Sequence, residues 1–209
     1  MTAGQNLRSR YPLVLLGVYV CWWAALAIAP WYRQDWLLEN VLVFIGLPLV
    51  VAVHRQLSQP ALTALFVFFM LHAVGAHYTY EKVPYDVWAQ SLAGTSISDL
   101  LGLQRNHFDR LVHFLYGLLV TPAYMELMDR RIVLRNAWRY LVPFTFMVSH
   151  SAIYEMIEWA AAELFGGELG QAYLGTQGDV WDAQKDSALA MVGALIAVAL
   201  VRSRTRQRV

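Results

Sequence analysis

Long apolar runs alternate with short charged ones along this chain, and the apolar runs recur at the length of a membrane span. A spanning helix needs about 20 predominantly apolar residues. Residues 11–32 carry no charge and predict a first span. Residues 37–54 predict a second, and the uncharged run 56–80, entered near Pro60, predicts a third. Three more uncharged runs, 111–125, 140–154 and 187–201, centre the remainder. The pattern predicts an all-α, polytopic membrane bundle of six transmembrane helices, at 11–32, 37–54, 60–80, 109–128, 139–163 and 180–202. They form one domain over residues 1–209, with a long external loop at 81–108.

Composition supports this and excludes its rivals. Of 209 residues, 58% are hydrophobic and 15% charged, against roughly a quarter charged in soluble domains. That balance excludes a disordered chain, a coiled coil, a collagenous repeat and a secreted disulfide scaffold. The single cysteine, Cys21, cannot form an internal disulfide. Arg8 and Arg10, the apolar run and Ala27-Ile28-Ala29 have the outline of a signal peptide. The run is long for that, and Pro30 is a poor residue after a cleaved bond, so a retained first helix is expected.

Orientation follows from lysine and arginine. With a cytoplasmic N-terminus, the inner segments hold Arg8, Arg10, Arg55, Arg130, Arg131, Arg135, Arg139, Arg202, Arg204, Arg206 and Arg208. The outer side holds Arg33, Lys82, Arg105, Arg110 and Lys185. Both termini are therefore expected in the cytoplasm. Only Glu126 and Asp129 among the acids fall inside, an asymmetry that the positive-inside rule does not explain. The cytoplasmic arginines suit anionic headgroups of the bilayer; nothing supports nucleic-acid binding.

The last three runs would each extend about 22 Å as helix, short of a hydrocarbon core of about 30 Å. Those helices span only by drawing ionisable residues into the membrane, where such groups face the interior and default to a functional reading. Asp109 and His113 are i and i+4, Glu155 and Glu158 are i and i+3, and Asp179, Asp182 and Asp186 are i, i+3 and i+7. Three consecutive spans thus offer acidic stripes at one depth. Six carboxylates face the nearby bases Arg105, Arg110 and Lys185, so they must be protonated, paired or holding a cation. Inward carboxylates and histidines on facing helices are how bundle metal sites are built. A mixed set suits Zn²⁺, Mn²⁺ or Fe²⁺, and a carboxylate-only set Mg²⁺, Mn²⁺ or Ca²⁺. His72 is read equally as a packing hydrogen bond or a site member, and His150 as structural. Ser149-His150-Ser151 does not make a serine protease, because adjacent residues on one helix point apart.

The segments Arg105-Asn106-His107-Phe108-Asp109-Arg110-Leu111-Val112-His113-Phe114, Tyr154-Glu155-Met156-Ile157-Glu158-Trp159 and Gly175 to Asp186 resemble the YjdF family of bacterial inner-membrane proteins. More distantly, the order Asp-x-x-x-His, Glu pair, Asp-x-x-Asp and a Gly-containing last helix resembles VanZ-like membrane proteins. Asp186 departs from that pattern, standing where those more often carry Asn. The resemblance implies a bacterial inner (plasma) membrane location and supplies no activity.

The leading expectation is a divalent-cation site of unidentified metal at the outer ends of the last three spans, used on an envelope or lipid-linked substrate. Asp109, His113, Glu155, Asp179 and Asp182 are the metal-ligand candidates, and Glu158 or Asp186 is the general base. Arg105 and Lys185 would hold a phosphate or carboxylate of the substrate. The alternatives are an ion-coupled transporter and a membrane scaffold with a structural cluster, for instance with Arg105 on Asp109 and Lys185 on Glu158. Whether the chain is an enzyme, and its oligomeric state, stay open at this point.

Overall fold

The computed structural model describes residues 3–206, with side chains from 10 to 204. Arg208 and the side chains of Arg8 and Arg206 lie outside the described residues. Among the described residues there are nine α-helices and no strand. They are α1 (Ala3–Leu26), α2 (Arg33–Val53), α3 (Gln59–His77), α4 (Tyr85–Ala93), α5 (Ile97–Leu101), α6 (Phe108–Arg131), α7 (Trp138–Phe165), α8 (Gly167–Leu174) and α9 (Asp182–Arg206). Four stretches among the described residues are long and apolar enough to cross a membrane: Arg33–Gln56, Gln59–His77, Phe108–Arg131 and Asp182–Arg204. The apolar part of α1, Arg10–Leu26, is shorter. α7 has the length, at 28 residues, but carries Ser149, His150, Ser151, Glu155 and Glu158 along its middle. The all-helical architecture is as expected; the connection 81–108 and the segment before α9 additionally fold into the short helices α4, α5 and α8.

Local chemistry sets the helix ends. Ser58 caps α3, accepting from the Ala61 N–H at 3.3 Å, with proline in the first turn. The Glu126 carboxylate accepts from the Ser58 N–H at 2.7 Å and its hydroxyl at 2.6 Å, tying the end of α6 to the start of α3. Arg139 donates to both oxygens of Asp129, at 2.6 to 3.2 Å, fixing the turn between α6 and α7. In the loop, Asp86 of α4 accepts from the N–H and hydroxyl of Ser98, and these bonds hold its carboxyl below the usual range. Leu92, Leu100 and Leu101 stay exposed there, an apolar edge suited to a membrane surface.

A core of Tyr19, Val43, Phe68, Phe69, Ala73, Val83 and Val112 joins α1, α2, α3 and α6. At its acidic end α3 breaks with Thr79 and Tyr80 in the left-handed region, at φ 53° and 52°. That turn folds the Tyr80 ring back against Gly75, where any Cβ would collide with it. The Tyr80 hydroxyl meets Nδ1 of buried His72, whose Nε2 lies 3.2 Å from the Glu39 carbonyl.

Candidate functional site

The site begins with how closely α6 and α9 approach. Both run away from the acidic end, and small residues meet where they cross. Gly117 and Thr121 of α6 face Ala190, Ala194 and Ala197 of α9, all nearly inaccessible. A Cβ on Gly117 would strike the Ala190 carbonyl, and one on Gly193 the Phe114 carbonyl. This is the small-residue packing by which membrane helices bring backbones together. One and two turns before the crossing, on the same faces, stand His113 and Asp109 on α6 and Asp186 and Asp182 on α9. The crossing therefore presses two acidic stripes against each other.

The outermost layer is an ion-pair cluster. Arg105 donates to Asp182 at 2.7 and 3.3 Å, and to the carbonyls of Thr176 and Gly175 at 2.8 and 3.2 Å. Arg110 donates to Asp179 at 2.5 Å and Asp182 at 3.0 Å. Lys185 donates to Asp179 at 2.5 Å. The Lys185 ammonium, the Trp181 N–H and Arg110 hold the Asp179 carboxyl well below the usual carboxylate range. Three cations thus serve two carboxylates, and the layer closes the end of the bundle.

One turn deeper the balance reverses. Asp109, His113 and Asp186 can each present a ligand atom within 4.8 Å of the other two. His113 Nε2 lies 3.6 Å from Asp109 Oδ1 and 3.4 Å from Glu155 Oε1. Glu158 stands one turn along α7 and lines, with Asp109 and His113, a small cavity of about 40 Å³. None of Asp109, Glu155, Glu158 and Asp186 forms an ion pair with lysine or arginine among the described residues. Two buried acceptors have no hydrogen-bond partner among the described residues: Asp186 Oδ1, on a residue 2% exposed, and Glu155 Oε1, which has only the 3.4 Å approach of His113. A buried acceptor without a partner is costly and calls for an explanation, such as an ion or water. Two carboxylates and an imidazole leave coordination positions open, a set suited to Zn²⁺, Mn²⁺ or Fe²⁺.

The cluster also reaches α2. Asp35 and Glu39, i and i+4 on its first turns, are 0% and 3% exposed. The Tyr154 hydroxyl donates to Glu39 at 3.1 Å, joining α7 to α2. Both oxygens of Asp35 are buried with no hydrogen-bond partner among the described residues. Sequence reasoning placed Glu39 inside the second span without assigning it to the site and passed over Asp35. Their i, i+4 spacing with Asn40 was the available signal. Of the nine residues singled out from sequence, the structure places all at one end of the bundle, in two layers. Arg105, Lys185, Asp179 and Asp182 lie in the ion-pair layer, and Asp109, His113, Glu155, Glu158 and Asp186 beneath it. Arg105 and Lys185 sit on Asp182 and Asp179, rather than on Asp109 and Glu158, the pairings named as examples for a purely structural cluster. His150 meets the Tyr116 hydroxyl at 2.6 Å on Nδ1, outside the acidic group.

With this geometry in view, comparison with known proteins decides the family. Residues 11–207 match the model of DUF2238, described as a predicted membrane protein. The chain belongs to the DUF2238 family. It is 38% identical over 183 residues to inner membrane protein YjdF of Escherichia coli (strain K12), covering 84% of this chain and 81% of that one. The YjdF-like resemblance and the inner-membrane, multi-pass location both stand. The comparisons do not show the VanZ-like likeness, which rests on motif order alone. No solved structure matches the chain. The DUF2238 match covers every helix that contributes to the acidic cluster.

Proposed function

We propose that this protein binds a divalent cation between Asp109, His113 and Asp186, with Glu155 completing the set, and acts there on a lipid-linked or envelope substrate. The observation that carries this reading is the orphaned, buried Asp186 Oδ1 inside an acidic group with no cationic partner. Glu155 Oε1 adds a second free acceptor beside His113. Asp179 and Asp182, engaged by three cationic side chains, act as the lid over the ligand set. A divalent cation supplies Lewis acidity and brings the pKa of a bound water towards neutrality. Glu158, on the cavity wall and free of bases, takes the role of proton acceptor. Lys185, half-exposed at the rim, is placed to meet an anionic substrate group, whereas Arg105 is held by Asp182 and two carbonyls. In this reading six helices span, the acidic end faces outward and both termini are cytoplasmic.

The test is elemental analysis of detergent-purified protein beside a His113→Ala/Asp186→Ala double variant. About one transition metal per chain, absent from the still-folded variant, is expected. Metal-free wild type after incubation with Zn²⁺ and Mn²⁺ would overturn the reading. A carrier coupled to ions or protons is the second reading, favoured by Asp35 and Glu39, which extend the buried carboxylates towards α2.

A further inference from the structure

α2 and α7 both lean on α8 at the acidic end, and below that point they follow different partners: α2 packs on α3, and α7 on α6 and α9. Between them lies a groove of about 440 Å³ with almost wholly apolar walls. Its floor is Leu65, Phe68 and Phe69 of α3. On α2 it extends from Leu38 to Val50, twelve helical rises or about 18 Å. Half of a hydrocarbon core of about 30 Å is close to that length. The groove therefore starts near the acidic end and runs for about one leaflet's thickness, ending past the middle of α2.

Three features distinguish it from ordinary lipid-facing surface. It opens sideways onto that surface, since Ile45, Leu49 and Ile153 on its lips are 60%, 61% and 54% exposed. Its α6–α7 wall is a continuous aromatic strip: Tyr124 stacks on Phe146 at 4.1 Å, Phe146 on His150 at 6.0 Å, and His150 on Tyr116 at 5.7 Å. Finally, Tyr116, His150 and Tyr154 line both the groove and the small cavity that Asp109, His113 and Glu158 also line. An apolar groove of about one leaflet's length thus shares a wall with a cavity that carries ionisable groups, an arrangement suited to an amphiphile.

From this geometry we infer that the α2–α7 groove is a lateral binding site for one acyl chain of a bilayer phospholipid, its phosphate lying beside the acidic group. The acyl chain is the occupant because the groove is continuous with the lipid-facing surface and matches a leaflet in length. The phosphate half of the inference rests on the cation reading, since an anionic head tolerates these carboxylates only with a cation between them. The Tyr154–Glu39 hydrogen bond bridges the two lips at the head end and sets how far a headgroup enters.

The test uses the full chain in vesicles of phosphatidylethanolamine and phosphatidylglycerol, doped with phosphatidylglycerol bearing a mid-chain photoactivatable diazirine. Crosslinked peptides are mapped by mass spectrometry. Labelling is expected to concentrate on α2 and α7 residues of the groove, over lipid-exposed controls Leu13 on α1 and Leu195 on α9. Ile153→Trp fills one lip and Leu49→Trp the other; both side chains already face lipid, so folding is spared. Either variant is expected to lower groove labelling about tenfold, leaving Leu195 labelling and metal content as in wild type. His113→Ala/Asp186→Ala removes the cation while groove labelling persists, so failure of the cation reading and failure of the groove are read separately. Even labelling over all lipid-facing helices, or groove labelling unchanged in both tryptophan variants, would overturn the inference.

Discussion

Arg105 grips Asp182 through both terminal guanidinium nitrogens, at 2.7 and 3.3 Å, tying the loop before α6 to the first turn of α9. The side chains are 13% and 4% exposed, so the pair is a buried one. Removing one member of an isolated buried pair costs about 3–5 kcal/mol; here Arg110 stays 3.0 Å from Asp182 and Arg105 keeps two carbonyls, which sets that figure as the upper bound. Arg105→Ala and Asp182→Ala are each expected to destabilise, by less than that bound, measured by thermal unfolding in detergent. Replacing both, as Arg105→Met/Asp182→Leu, is expected to recover much of the loss, because a buried pair contributes little beyond an apolar match. Single variants as stable as wild type would remove this pair from the bundle's support.

Asp179 gives the closing layer a pH dependence. Its folded pKa is depressed, chiefly by the Lys185 ammonium, then by the Trp181 N–H and Arg110. A depressed acid stabilises the fold fully above its unfolded pKa, near 3.9. That stabilisation is lost as pH falls from there through the lower folded value. Melting temperature is therefore expected to lose the Asp179 contribution only below about pH 4, and Asp179→Asn to flatten that limb while leaving the slope between pH 5 and 8 as in wild type. A variant with the wild-type acid limb would refute the assignment.

Much of this architecture is legible in the chain, and the illegible part has a physical cause. Uncharged runs too short for a bilayer place Asp109, Glu155 and Asp186 at one depth, because length fixes height along a helix axis. Rotation about that axis is a separate variable that one sequence does not fix. Hence the stripes were recognised, but not that Arg105 selects Asp182 over Asp109, or that Asp186 is left without a partner. Asp35 and Glu39 were missed for a related reason. They lie at the mouth of the most apolar span, where an acid passes for an interfacial residue until Tyr154 from α7 is seen on Glu39. The short helices α4, α5 and α8, of 9, 5 and 8 residues, escaped notice because segments so short give too few turns for a period to stand out.

Gly117 links packing to the site. Its hydrogen faces the Ala190 carbonyl, leaving no room for a side chain. Forcing volume into a packed interface costs about 1–3 kcal/mol, and more where only backbone is there to yield. Gly117→Leu is expected to lower stability and push α9 away from α6, separating Asp186 from Asp109 and His113 and abolishing cation binding. Gly17, whose Cβ would meet nothing within 4 Å, supplies the control: Gly17→Leu is expected to leave both unchanged. Metal content by elemental analysis and melting temperature read the two effects. Full metal retention in Gly117→Leu would show that the crossing does not set the ligand geometry.

Sidedness is the last prediction, and it reaches furthest because the substrate's compartment depends on it. The closing layer, the α4–α5 segment and α8 share one end of the bundle, and the arginine-rich turn Arg130 to Arg139 lies at the other. Arginine excess marks the cytoplasmic side, so the acidic end is expected to face outward. Cys21 is the chain's single cysteine, and Cys21→Ser leaves a background free of thiols. On that background Gly94→Cys, at the exposed end of α4, is expected to react with a membrane-impermeant maleimide added outside sealed spheroplasts. Val133→Cys, 83% exposed between α6 and α7, is expected to react only after the membrane is permeabilised. The reverse pattern would place the acidic group in the cytoplasm and direct the substrate search there. Equal reactivity at both sites from outside would mean that α6 does not span, and the six-helix topology would fall with it.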